Sequence, residues 1–106
     1  MKATELRIGN FVYEYNDSVI INISCWEFEK ARLENNQNEL KWLNPIPLTE
    51  EWLVKFGFEL VGKKTYYKLN IPLIPVRNSH YQCKGADIKY VHQLQNLYFA
   101  LTNKEL

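Results

Sequence analysis

VHQLQNLYFAL, residues Val91 to Leu101, decides the fold class. Wound at about 3.6 residues per turn, it sets Leu94, Leu97, Tyr98 and Leu101 on one apolar stripe. The pattern predicts a helix lying on a β-layer. Its start falls between Asp87, a candidate cap, and Val91; it runs to about Thr102, and Asn103 supplies the stop. The opposite side carries His92, Asn96 and Phe99 at i, i+4 and i+7, bordered by Gln95. A phenylalanine among polar side chains has two explanations. Another part of the chain, such as the loop after Leu33, covers it. Alternatively His92, Gln95, Asn96 and Phe99 form a patch for a partner or a second copy, since a lone aromatic in a polar rim is the form of an interface anchor.

Upstream, PIPLTEEWLVKFGFEL (Pro45–Leu60) carries the most local information. Thr49 is a natural N-cap, because its hydroxyl can accept an orphan helix N–H. Glu50 and Glu51 follow in the first turn, where the helix dipole favours negative charge. Leu48 and Leu53 hold the staple positions. Gly57 supplies a left-handed residue after the last turn, and Phe58 can fold back on Leu53. A two-turn helix from Glu50 to Phe56 is expected, with Trp52, Leu53 and Phe56 turned inward.

The remainder reads as strands. FVYEY and VIINI form a first hairpin with Asn16-Asp17 at its turn. Apolar side chains occupy both faces of that hairpin, which implies two-sided burial or an aromatic binding face. CWEFEKARLE is ambiguous: Trp26 and Phe28 alternate as a strand, which is favoured, while Ala31 and Leu33 also fit a helix; Glu34–Asn38 reads as a loop. In FELVGKKTYYKLN, pairing Glu59 with Lys68 sets Leu60 opposite Tyr67 and Phe58 opposite Leu69. Pro72 and Pro75 then confine IPLIPV to an edge or an extended connection. SHYQC is a further strand, and KGAD turns the chain. Gly9, Gly62 and Gly85 mark turns.

The expected architecture is therefore one α+β domain over residues 1–106. A small twisted antiparallel sheet, SH3-like and partly closed, is packed by the C-terminal helix plus one short helix. Composition agrees, with 46% hydrophobic and 14% aromatic residues over 106 positions, as in an ordered domain. Thirteen Lys and Arg oppose twelve Asp and Glu, for a net charge of +1, which gives no broad attraction to nucleic acid or anionic lipid. Met1 is followed by KATELRIGN with no apolar leader segment, so a cytoplasmic protein with free Cys25 and Cys83 is expected.

Three blocks, ELRIGNFVY (Glu5–Tyr13), PIPLTEEWLVKFGF (Pro45–Phe58) and YVHQLQNLYFALT (Tyr90–Thr102), resemble a group of small proteins from Bacteroidetes genomes, their prophages and mobile elements. They cover about a third of the chain. The resemblance implies a setting in phage or mobile DNA, and it brings no active site to carry over. In that group the last block often closes on glycine, where this chain has Asn103.

Chemistry-bearing patterns are sparse. Ser79, His80 and Asp87, or His92 in place of His80, have the residue types of a catalytic triad. They lack a framing elbow, and adjacent Ser79 and His80 point to opposite faces of a strand. No catalytic residue is assigned. Two histidines and two cysteines lack metal-ligand spacing, so no metal and no cofactor are expected. No glycine-rich phosphate cradle occurs. The leading functional expectation is a non-enzymatic macromolecular interaction protein. One alternative is a nucleic-acid-binding module in which Phe11, Tyr13 and Tyr15 stack bases beside Arg7. Another is a small nucleotide-ligand sponge or enzyme.

Overall fold

The computed structural model describes residues 1, 5–14, 19–24, 26, 40, 42–62, 65–69, 71–76 and 80–106. CWEFEKARLE (apart from Trp26), the Glu34–Asn38 loop and the Asn16-Asp17 turn lie outside them.

The fold is α+β, as expected from the sequence, and among the described residues the strands form two antiparallel sheets, not closed into a barrel, where one sheet was expected. Strand β1 (Phe11–Glu14) is the centre of the first, between β2 (Val19–Asn22) and β3 (Leu43–Asn44). Val12 pairs with Ile21 and enters a small core with Leu6, Ile23, Leu40 and Leu43. Phe11 and Tyr13, pointing the other way, pack against a larger core. β1 thus divides two apolar clusters, which explains the apolar residues on both of its faces.

Helix α1 (Glu50–Lys55) forms where its local signals placed it. Leu48 and Leu53 are both buried in the larger core as a staple. At the far end the Gly57 N–H donates to the Val54 carbonyl, and the Phe58 N–H to Leu53, at 3.0 and 2.9 Å. These are the two bonds of a Schellman motif, and Gly57 meets its requirement with φ +87. Burial of Leu53 alone contributes roughly 1.5–3 kcal/mol. Thr49 takes the N-cap position with extended backbone, but its side chain makes no capping hydrogen bond, contrary to expectation.

The second sheet runs β4 (Glu59–Val61), β5 (Thr65–Lys68), β6 (Ile71–Val76), β7 (His80–Cys83), β8 (Ala86–Ile88), each strand beside its chain neighbour. Its first hairpin is one residue out of the expected register. Glu59 pairs with Tyr67, Leu60 with Tyr66 and Val61 with Thr65. The expected register required a two-residue Lys63-Lys64 turn, whose favoured forms need positive φ at lysine. In the structure Val61 pairs with Thr65, and Gly62, with φ +72, follows β4. A one-residue slip exchanges faces. Tyr66 is buried, while Tyr67 and the edge residue Leu60 are exposed. Lys68, freed from Glu59, donates to the Phe56 carbonyl at the C-terminus of α1, where the dipole favours a cation.

β6 is central in the sheet and not at its edge. Its prolines are tolerated because of a stagger. β5 pairs with Ile71, Pro72 and Leu73, whereas β7 pairs with Ile74, Pro75 and Val76. Each residue of β6 is paired on one side only, so a proline has an open side, as it would on an edge strand. Lys84 and Gly85, with φ of +50 and +87, make the tight turn into β8. Asp87 belongs to β8 and does not cap a helix; it accepts a hydrogen bond from Gln82.

Helix α2 (Val91–Thr102) ends at Asn103, which is left-handed with φ +59. Segment Ile46–Leu48 clamps its start: Leu48 N–H donates to the Lys89 carbonyl and Val91 N–H to Ile46, both at 2.9 Å. Val91, Leu94 and Tyr98 are buried in the larger core, which they share with Leu53 of α1 and with Tyr66, Leu73 and Tyr81 of the five-stranded sheet. The buried stripe is rotated from the expected one. Leu97 is half-buried and Leu101 is 44% exposed, because His92 and Gln95 also turn inward.

Candidate functional site: a polar lock and an aromatic cleft

Of the four residues singled out on α2, Gln95, Asn96 and Phe99 meet the chain's own N-terminal segment. Gln95 Oε1 accepts the Phe11 N–H at 2.8 Å, and Gln95 Nε2 donates to the Gly9 carbonyl at 3.2 Å. Asn96 Oδ1 accepts from Arg7 Nη1 at 3.1 Å and from Asn10 Nδ2 at 2.9 Å, and Asn96 Nδ2 donates to the Glu5 carbonyl at 3.0 Å. Arg7 then stretches over Phe99, with its guanidinium carbon 4.0 Å from the ring centroid, and pairs with Glu105. Phe99 is thus covered by Arg7. The loop after Leu33, the cover suggested from the sequence, lies outside the described residues.

Asn10 holds this segment in shape. It is fully buried, its Oδ1 accepts the Arg7 N–H at 2.7 Å, and its carbonyl accepts the Ile23 N–H at 2.8 Å. Gly9 makes the turn with φ +98. Asn10, Gln95 and Asn96 satisfy one another's neighbours, which removes a penalty of about 1–3 kcal/mol for each buried polar group otherwise unpaired.

His92 is 3% exposed and stacks on Tyr90 at 5.9 Å. Its Nδ1 finds no hydrogen-bond partner among the described residues. Burial holds its pKa below the ordinary imidazole value, with Glu5 pulling weakly the other way. Burial likewise raises the pKa of the Cys83 thiol and of the Tyr66 and Tyr81 phenols, the last two also feeling Glu50.

Of the residues proposed to stack bases, Phe11 and Tyr13 both pack against the larger core. Arg7 is committed to α2. Tyr13 packs half-buried on the larger core, and Tyr15 lies outside the described residues. Ser79 lies outside them too; His80 Nε2 stands 3.6 Å from Asp87. No group of three His, Cys, Asp or Glu among the described residues could hold a metal ion. No helix among the described residues is long and apolar enough to cross a membrane.

Phe11 instead joins a different site. Its ring lies 5.5 Å from Trp52 and 6.2 Å from Phe56, which are themselves 5.6 Å apart, all tilted. The three rings line an open cleft of about 510 Å³, with Ile20 and Leu106 beside them. Lys55 and Lys68 complete the lining. The Lys55 ammonium sits 4.8 Å over the Trp52 ring, a cation–π contact. A cleft of this size, apolar with a few charged groups, is of the kind that takes small ligands and peptide side chains. Sequence reasoning turned Trp52 and Phe56 inward but did not bring Lys55, Lys68, Ile20 and Leu106 to them. The only local signal was the i, i+4 spacing of the two aromatics. No family model matches the chain, and neither a curated protein nor a solved structure is significantly similar to it.

Proposed function

We propose that this is a non-enzymatic interaction protein that captures a protein partner in the Phe11–Trp52–Phe56 cleft. Following the resemblance of its three sequence blocks, we place it in the service of a phage or mobile element of a Bacteroidetes host, acting in the cytoplasm. The observation that carries the binding reading is the aromatic trio, in which Phe11 and Trp52 stay half-open to solvent while most rings of the core are closed off. Aromatic side chains in a recess are the commonest form of a binding hot spot. The outer face of α2 is spent on the N-terminal segment, so His92, Gln95 and Asn96 serve the reading less well than the cleft does.

The test is affinity capture from the native host with wild-type protein, Trp52→Ala and Phe99→Asp, each checked by circular dichroism. A partner lost with Trp52→Ala and kept with Phe99→Asp supports the cleft. The reverse pattern moves the binding surface to α2.

A further inference from the structure

Leu106 has an odd placement. Lys104 and Glu105 before it are exposed, yet Leu106 turns back, half-buried, and lines the cleft. Glu105 is pinned one residue earlier by Arg7. Leu106 lies in a short non-helical stretch after α2 and lines the cleft together with the three rings. Beside it stand the Lys55 and Lys68 ammonium groups, and no Asp or Glu side chain is among the described residues that line the cleft. An aliphatic side chain flanked by acidic residues would satisfy both parts of this site. The aliphatic group would enter where Leu106 sits, and the acids would meet Lys55 and Lys68. The chain's own Glu105-Leu106 has that order, with its acid diverted to Arg7.

We infer that the cleft recognises an aliphatic anchor carried on an acidic peptide segment, and that Leu106 fills the anchor's place in the free protein. The inference rests on the cleft being the partner-binding surface. Leu106 acts as an internal competitor, so affinity for the segment is reduced by the fraction of molecules in which it is docked. Attraction to the lysines is exposed to solvent and therefore weakens with salt.

The experiment follows the Trp52 indole N–H by heteronuclear NMR in the full chain. The probe is the blocked peptide Asp-Glu-Leu-Asp-Glu. Controls carry alanine for leucine or lysine for every acid, and a short oligothymidylate tests for nucleic acid. The acidic leucine peptide is expected to move the Trp52 signal, with binding weakened by salt. Leu106→Ser should tighten it about 5-fold, as expected if most molecules are self-occupied. Glu105→Gln, which frees the tail without touching the cleft, should act in the same direction. Equal binding of the alanine peptide, or no gain in either variant, overturns the inference. Preference for the lysine peptide or the oligothymidylate overturns it while leaving the cleft as a binding surface. A Trp52 signal unmoved by every probe removes the cleft reading as well.

Discussion

The Arg7 guanidinium carbon lies 4.0 Å from the centroid of the Phe99 ring, joining residues 92 positions apart (99 − 7). The same guanidinium donates to Asn96 and pairs with Glu105. The Glu105 pair is solvent-exposed and contributes about 0–1 kcal/mol. The planar stacking and the Asn96 bond add to that. Arg7→Lys keeps the charge but loses the plane and the fork, and is not a conservative change. Arg7→Lys should lower stability by about 0.5–1.5 kcal/mol, read as a lower urea midpoint. Asn96→Ala should cost more, about 1–3 kcal/mol, because buried Asn10 loses its acceptor. If both variants unfold at the wild-type midpoint, the lock is ornamental.

Gly57 and Gly62 separate backbone strain from crowding. Both have positive φ, +87 and +72. A Cβ at Gly62 would meet nothing within 4 Å among the described residues, whereas one at Gly57 would stand 3.1 Å from Lys68 Nζ. Gly62→Ala should cost about 1 kcal/mol from φ alone. Gly57→Ala should cost at least as much, and it should also disturb the Lys68 bond to Phe56. Removing Lys68 first, as Lys68→Ala, should bring the two glycine penalties together in a double-mutant comparison of melting curves.

His92 makes stability depend on pH. Its pKa is lower in the folded protein than in the unfolded chain, because burial disfavours the imidazolium. The unfolded state therefore binds more protons as the pH falls below the ordinary value of 6.5. This contribution is complete above that value and is lost progressively below it, until the folded-state pKa is reached. Denaturant midpoints measured across this range should fall on acidification, and His92→Gln should flatten the slope. An unchanged slope in the variant would assign the acid sensitivity to other groups.

Cys83 is buried with its thiol pKa raised, so it is a poor nucleophile. In a Cys25→Ser background, labelling of Cys83 by a thiol reagent should proceed at the rate of opening and level off with reagent concentration. A rate that rises in proportion to reagent would place the thiol at the surface.

Legibility in the sequence followed the reach of each interaction. Helix α1 was readable almost to the residue, because Leu48, Leu53, Gly57 and Phe58 act within one or two turns of each other. Thr49 was the exception: the position was right and the hydroxyl bond absent. The β4–β5 register was drawn from an attractive charge pair, Glu59 with Lys68, whereas Glu59 pairs with Tyr67 and Lys68 turns to the end of α1. β6 was placed at an edge because proline rules speak of pairing partners; the stagger that leaves one side of each residue open depends on two other strands. On α2, Gln95, Asn96 and Phe99 were singled out for their polar-and-aromatic pattern, and all three meet the N-terminal segment. That segment could not be read as their cover, because Arg7, Gly9 and Asn10 reach them from more than 80 positions away. The cleft was hidden for the same reason, since Phe11, Trp52, Lys68 and Leu106 come from four separate elements or tails.

The clasp between the opening segment and α2 also sets a timetable. Strands β4 to β8 pair only with their chain neighbours, so they can zip locally, on the roughly 1–10 μs scale of single hairpins. The bonds from Gln95 and Asn96 close loops of 84 to 91 residues. Such closure yields nothing until the intervening chain is compact, which puts it late on the route to the native state. Damage there should then accelerate the departure from the native state more than it slows arrival. In a chevron plot Asn96→Ala should raise the unfolding arm and leave the refolding arm nearly in place.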